Sequence, residues 1–229
     1  MQTTNITVYL FCYALFFLFS WISKIKNSQR LINDEGIFTS NPGKLIGFHV
    51  IGIILFGIIP IILLKHSTLE VLISNRILDS SFVFLFILIF ILLLTIVYKQ
   101  SRYASLKNQK PYGSIVHLSS PFFILYFIVR TIFLFAYELW FRGFLLFDSI
   151  AWLGITMAVT VNVFLYVLLH IFNSKKEILV CIPFGLLVCF FNILFNAAWP
   201  AIILHIGVSL VYELTFYRSY LYTSKIERL

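Results

Sequence analysis

Apolar runs of helix-spanning length alternate with short polar connectors along the whole chain. They fall at about residues 5–22, 46–64, 82–98, 121–147, 153–172, 178–195 and 199–217. A helix needs roughly 20 mostly apolar residues to cross about 30 Å of hydrocarbon. The pattern therefore predicts an all-α fold, a polytopic transmembrane helical bundle of about seven spans, with six to eight as the bounds. No basic residue precedes the first run and no small-residue cleavage site follows it, so it is expected to be a transmembrane helix rather than a removed signal peptide. The chain divides into three N-terminal helices with basic loops (1–120), a four-helix core (121–217) and a short tail (218–229).

Composition agrees with the pattern and narrows it. Of 229 residues, 61% are hydrophobic and only 11% are charged, where soluble domains run near 25% charged. Mean hydropathy is +0.98. A soluble enzyme, a secreted disulfide scaffold and a disordered chain are excluded. Cys12, Cys181 and Cys189 all sit in apolar runs with no CxxC spacing, and read as small buried hydrophobes.

The net charge of +8 does not point to nucleic acid, because the Lys and Arg residues lie between apolar runs, where they set topology. The connectors at 23–45 and 99–120 carry Lys24, Lys26, Arg30 and Lys44, then Lys99, Arg102, Lys107 and Lys110 with the turn Pro111-Tyr112-Gly113. With 173–177 and the tail, thirteen basic residues fall on one side, against Lys65 and Arg76 on the other. The expectation is an N-terminus outside and a C-terminus in the cytoplasm, in a membrane taken to be a bacterial plasma membrane, with lipid as the constant partner.

Six ionisable residues lie well inside the runs: Arg130, Glu138, Arg142, His170, His205 and Glu213. An unpaired charge at mid-membrane costs at least ~2.5–3.5 kcal/mol, so each is expected to face a partner or a water-filled cavity. Glu138 and Arg142, Tyr166 and His170, and His205 and Ser209 are each four residues apart, the spacing that places two side chains on one helix face. Singly, the first pair reads as a structural ion pair and each histidine as a hydrogen-bonded core residue. Together, a carboxylate and two imidazoles are what a hydrolytic site needs, one group taking a proton from water and another stabilising the oxyanion. The same Glu138, His170 and His205 could hold a divalent metal such as zinc, although nothing has HExxH spacing; no other cofactor is implied. Glu213 is expected near solvent at a helix end, His49 near a membrane edge as a packing residue, and Arg130 against Glu213 or a lipid phosphate.

These residues resemble the motifs of the CAAX protease and bacteriocin-processing (CPBP, or Abi) family of intramembrane proteases, related to the type II prenyl-protein endopeptidases. The family pattern is EExxxR-G, then FxxxH, then HxxxN or HxxxD. Here it reads Tyr137-Glu138-xxx-Arg142-Gly143, Tyr166-xxx-His170 and His205-xxx-Ser209, with Trp199-Pro200-Ala201 leading into the last helix. The resemblance covers about residues 121–215 and implies an endopeptidase acting on peptide, membrane-protein or prenylated substrates. By carry-over, His170 activates water, His205 stabilises the oxyanion, and Glu138 and Arg142 support them, with Tyr166 and Ser209 in the flanking positions. The position of the family's first, catalytic Glu is Tyr137, and a phenol with pKa about 10 is a poor base at neutral pH.

Two readings stand. Either Glu138 serves as the base, which requires a helix rotation or kink because neighbouring side chains point ~100° apart, or the chain is a catalytically inactive family member working as a membrane interaction or immunity protein. A third, a small transporter with a proton relay, lacks paired interrupted helices in two halves. A geometric condition applies to all of them. With a turn at 148–154, Glu138 lies about 12–20 Å and His170 about 20–30 Å below their helix ends, so a straight bundle would hold them at different depths.

Overall fold

A computed structural model describes residues 2–25, 30–32, 38–64, 68–73, 79–107, 119–172 and 174–226. Lys26, Lys65, Arg76, Lys110, Arg228 and Pro111-Tyr112-Gly113, all of which entered the orientation argument, lie outside these residues. The helices are α1 (Gln2–Ile25), α2 (Pro42–Ile53), α3 (Ile59–Leu63), α4 (Thr68–Leu72), α5 (Ser80–Lys107), α6 (Ser120–Glu138), α7 (Leu146–Leu153), α8 (Ile155–Leu169), α9 (Lys175–Phe195) and α10 (Trp199–Ile226). Among the described residues there is no strand, only an isolated bridge between Ile32 and Phe38.

Six helical stretches are long and apolar enough to cross a membrane: Asn5–Lys24, Pro42–Leu63, Ser80–Leu106, Ser120–Leu153, Lys175–Phe195 and Trp199–Ser219. The seventh, Ile155–Leu169, has 15 residues and reaches only about 22 Å. The bundle of about seven spans is therefore present, with the fifth short of a full crossing.

Two of the long stretches contain π-helical turns, and each has a local cause. Ile54–Ile58 precedes Pro60. Proline has no N–H for the Phe56 carbonyl and its ring crowds that carbonyl, so the helix absorbs an extra residue rather than breaking. In Leu139–Leu145 the Phe141 carbonyl accepts from the Leu146 N–H, a π-type bond, and also from Asn162 Nδ2 at 2.6 Å. Asn162 is fully buried, and its amide satisfies a carbonyl that the widened turn leaves accessible.

Burial divides the helices sharply. α1 buries Asn5, Val8, Tyr9, Cys12, Phe16 and Ser20, one stripe at three- and four-residue spacing. It packs Phe16 against Phe48, Phe56 and Phe133, with ring centroids 5.3, 4.6 and 5.8 Å apart. Such edge and offset contacts add about 0.5–1.5 kcal/mol per pair beyond area burial. α5 buries only 6% of its apolar window and leans on α10. There Gly207 allows the close approach: a Cβ would stand 2.7 Å from the Phe90 ring.

The turns place the polar residues. Gly154, at φ +77°, joins α7 to α8; only glycine enters that region freely. Glu138 lies 16 residues before this turn and His170 16 residues after it, so the hairpin holds both about 24 Å from it. The expected mismatch in depth disappears because the turn falls at 154, the end of the segment expected to hold it. α9 ends at Asn196 in the left-handed conformation, and Asn192 Oδ1 accepts from the Ala201 N–H at 3.0 Å. That bond satisfies one of the open donors in the first turn of α10, where Pro200 needs none.

Candidate active site

Glu138 ends α6 and Arg142 lies one turn on, inside the π-helical stretch. Both side chains are 0% exposed, and Arg142 Nη1 is 3.5 Å from Glu138 Oε2. The guanidinium lies between two rings, 5.3 Å from the centroid of Phe141 and 4.4 Å from that of Tyr166, so cation–π attraction adds to the ion pair in stabilising the buried charge. The Tyr166 ring is the roof of this charge as well as the neighbour of His170.

The other carboxylate oxygen, Glu138 Oε1, takes a short hydrogen bond from His205 Nδ1. With Arg142 beside it the carboxylate is the acceptor, so Nδ1 carries the proton and Nε2 is left for another partner. His170 is fixed differently. Its Nδ1 is 2.9 Å from the Tyr166 backbone oxygen. A carbonyl only accepts, so this Nδ1 also carries a proton and Nε2 keeps its lone pair.

The two imidazoles meet at one cavity of about 120 Å3, with Tyr137 and Arg130 also in its wall and Arg30 and Ser20 at other points of the lining. That is room for several waters. Glu138 is not part of the wall. It stands behind His205, while the Tyr137 ring, 5.8 Å from the His205 ring and 6.2 Å from that of Tyr166, lies in the cavity wall. The π-helical turn begins only after Glu138, so it does not swing Glu138 into the place of Tyr137.

Several sequence expectations are corrected here. Ser209 does not partner His205: its Oγ accepts from Arg130 Nη2 at 3.2 Å. Glu213 is not near solvent but 8% exposed, with Oε1 3.4 Å from Arg130 Nε and accepting from Tyr126 Oη at 3.1 Å. His49, expected as a packing residue, is fully buried and also polar in its contacts: it gives its Nδ1 proton to the Leu45 carbonyl at 2.7 Å and accepts from Arg130 Nη1 at 3.1 Å. Arg130 and Glu213, weighed as a pair in the sequence, are thus joined by three residues whose part the spacing did not signal. Arg30, counted as a topological charge, lines the cavity and grips Glu177 through two bonds of 2.7 and 2.5 Å.

A three-donor metal site from Glu138, His170 and His205 does not fit this arrangement. Glu138 is spent on His205 and Arg142, and among the described residues no three His, Cys, Asp or Glu side chains are grouped to hold an ion.

Residues 118–211 match the family model described as type II CAAX prenyl endopeptidase Rce1-like. No curated protein and no solved structure matches the chain.

Proposed function

We propose, from the membership of residues 118–211 in the Rce1-like family of type II CAAX prenyl endopeptidases, that this integral membrane protein hydrolyses a peptide bond at the cavity shared by His170 and His205. The observation that carries the reading is the unequal backing of the two imidazoles: Glu138 stands behind His205, whereas only a neutral carbonyl stands behind His170. Two titratable groups held in different environments divide into acid and base roles.

In this reading His170 Nε2 takes a proton from water, and the hydroxide oxygen bonds to the scissile carbonyl carbon. The carbonyl oxygen becomes an oxyanion and receives a hydrogen bond from a protonated His205 Nε2, while the Glu138 carboxylate balances the second proton on that ring. The tetrahedral intermediate collapses by breaking the C–N bond, and the proton held on His170 passes to the leaving amine. Arg142 pairs with Glu138 and holds it in place. The family's first carboxylate is absent, so His170 works without an anionic partner, and turnover is expected to be slow.

The substrate of this reading is a peptide or prenylated protein segment entering from the bilayer. The membrane is a bacterial plasma membrane with the C-terminus in the cytoplasm. Labelling of a cysteine placed in the 99–120 loop by an impermeant reagent from outside the cell would overturn that orientation. The function is tested by purifying the chain in detergent or nanodiscs and incubating it with farnesylated peptides. Cleavage products seen with the natural chain and lost in His170→Ala support the reading, and identical product profiles refute it.

A further inference from the structure

α8 presents a stripe of groups to the site. Asn162, Tyr166 and His170 follow one another at four-residue intervals, so they lie on one helix face, and each meets a different part of the site. His170 reaches the cavity, the Tyr166 ring covers Arg142 at 4.4 Å, and Asn162 Nδ2 donates to the Phe141 carbonyl at 2.6 Å. Phe141 is the residue before Arg142, and its own ring lies on the guanidinium at 5.3 Å. One face of α8 is thus matched to the π-helical stretch Leu139–Leu145 that follows Glu138.

The backbone does not require the Asn162 bond. The Phe141 carbonyl already accepts from the Leu146 N–H, so an apolar side chain at 162 would leave it with a partner. A buried amide costs free energy unless it is bonded, whereas a leucine there would not. Thr160, by contrast, is exposed and turns its hydroxyl back to the Thr156 carbonyl of its own helix at 2.9 Å. The Asn162 side chain reaches out of α8 on both sides: its Oδ1 also takes the Cys189 thiol of α9 at 3.5 Å.

Apolar packing is non-directional, whereas a hydrogen bond fixes distance and angle. Without such a bond the apolar residues of α8 leave its position along its neighbours loosely set, and Asn162 supplies one about 12 Å before His170. We infer that Asn162 is a positioning residue that pins the axial register of α8 against Leu139–Leu145, so that Tyr166 covers Arg142 and His170 shares a cavity with His205. It acts through those side chains and touches no reacting atom. Its effect on turnover rests on the peptidase reading, but the register is measured without turnover.

The test places spin labels on Phe164→Cys of α8 and Ile132→Cys of α6, both on the exposed surface of the bundle, and reads their separation by pulsed dipolar spectroscopy in nanodiscs. Cys12, Cys181 and Cys189 are buried, and the chain without the two added cysteines gives the background. Asn162→Leu removes the pin at similar volume, and Asn162→Ala reads the same contact should the leucine not be accommodated. The label separation is expected to shift or broaden by about 1–2 Å, the scale on which packed helices move. Thermal unfolding of Asn162→Leu should change little, and Thr160→Val, on the same helix, should leave the separation as it is. With a farnesylated peptide kcat should fall about 10²-fold at nearly constant KM, the cost of a misplacement of about 1 Å.

An unchanged separation in the folded Asn162 variants, an equal shift in Thr160→Val, or a shifted register with unchanged kcat in a chain that cleaves would each overturn the proposal. Cleavage by the natural chain is scored separately. A register that moves in a chain cleaving nothing retains the pin and defeats the peptidase reading, whereas cleavage with an unmoved register does the reverse.

Discussion

Two buried polar groups join α6 to α10, about one turn apart on α10 and two on α6, and they are built on opposite plans. Glu138, Arg142 and His205 form a lean group: two formal charges, one imidazole, and a second imidazole nitrogen left open to a cavity. Arg130, Ser209, Glu213, Tyr126 and His49 form a dense one, in which each member has a protein partner. A buried polar group costs most when it is left unmade, so the dense group reads as a fixture and the lean one as the place where chemistry is left room. The membrane enforces the contrast, because lipid offers neither group a hydrogen-bond partner.

The largest effect should come from breaking the lean group at its centre. Glu138→Ala leaves Arg142 as an uncompensated buried charge, and removing one partner of such a pair costs about 3–5 kcal/mol. Thermal unfolding in detergent should fall steeply and cleavage should vanish. Glu138→Gln/Arg142→Met removes both charges, so it should recover most of the stability and none of the activity. Recovery of activity in that pair would mean that Glu138 serves only to neutralise Arg142.

Next comes His170→Ala, which removes a proton acceptor and only a single bond to a carbonyl. Loss of a positioned general base costs about 10²–10⁴-fold, and the rate should drop in that range with little change in unfolding. The two variants break the comparison in complementary ways: Glu138 loses fold and function together, His170 function alone. An unfolding shift in His170→Ala as large as that of Glu138→Ala would make His170 a core residue instead.

The lean group was the more readable of the two in the amino-acid pattern, and the reason is geometric. Glu138 and Arg142 sit on one helix face by local periodicity, and the EExxxR-like, FxxxH-like and HxxxN-like spacings supplied the rest. Ser209, which the spacing assigned to this group, is four residues from His205 but is claimed by an arginine on another helix. The dense group is tertiary throughout. His49 and Arg130 are 81 residues apart, and Tyr126 and Glu213 are 87 apart. No periodicity connects residues that meet only when α2 closes on α6, so His49 looked like packing and Glu213 like a helix end. The spans were legible because each burden of hydrophobicity is local. α8 was legible too, as the run at 153–172, but not its shortness, because its ends are set by the glycine turn at 154 and by His170 leaving the helix.

A smaller effect is expected from the dense group. His49→Ala removes one acceptor from Arg130 and a ring packed edge-on at 5.0 Å to Phe133. Stranding a buried N–H costs about 1–3 kcal/mol, so the unfolding midpoint should fall modestly. The maximal rate should stay within about threefold. A loss of rate as large as that of His170→Ala would mean that the two groups are one cooperative unit.

The smallest effect should belong to Tyr137, at the position where the motif resemblance leads one to expect a carboxylate. Its ring is 4% exposed and wedged against Phe56, Phe133 and Phe141, with centroids 5.5, 5.8 and 4.7 Å away. Its hydroxyl has no hydrogen-bond partner among the described residues. A wall held by that much aromatic contact should hardly notice loss of the oxygen, so Tyr137→Phe should change the rate by less than about threefold and unfold no earlier, since no partner is stranded. A loss near the 10²-fold typical of a missing oxyanion donor would instead put the phenol among the reacting groups. Tyr137→Glu asks the complementary question. It restores an anionic partner to the cavity wall beside His170 but removes the ring and buries a charge, so the rate per folded molecule should rise while the unfolding temperature falls. If the rate does not rise although the protein folds, the lean group is complete without a second carboxylate and the phenol is part of its design.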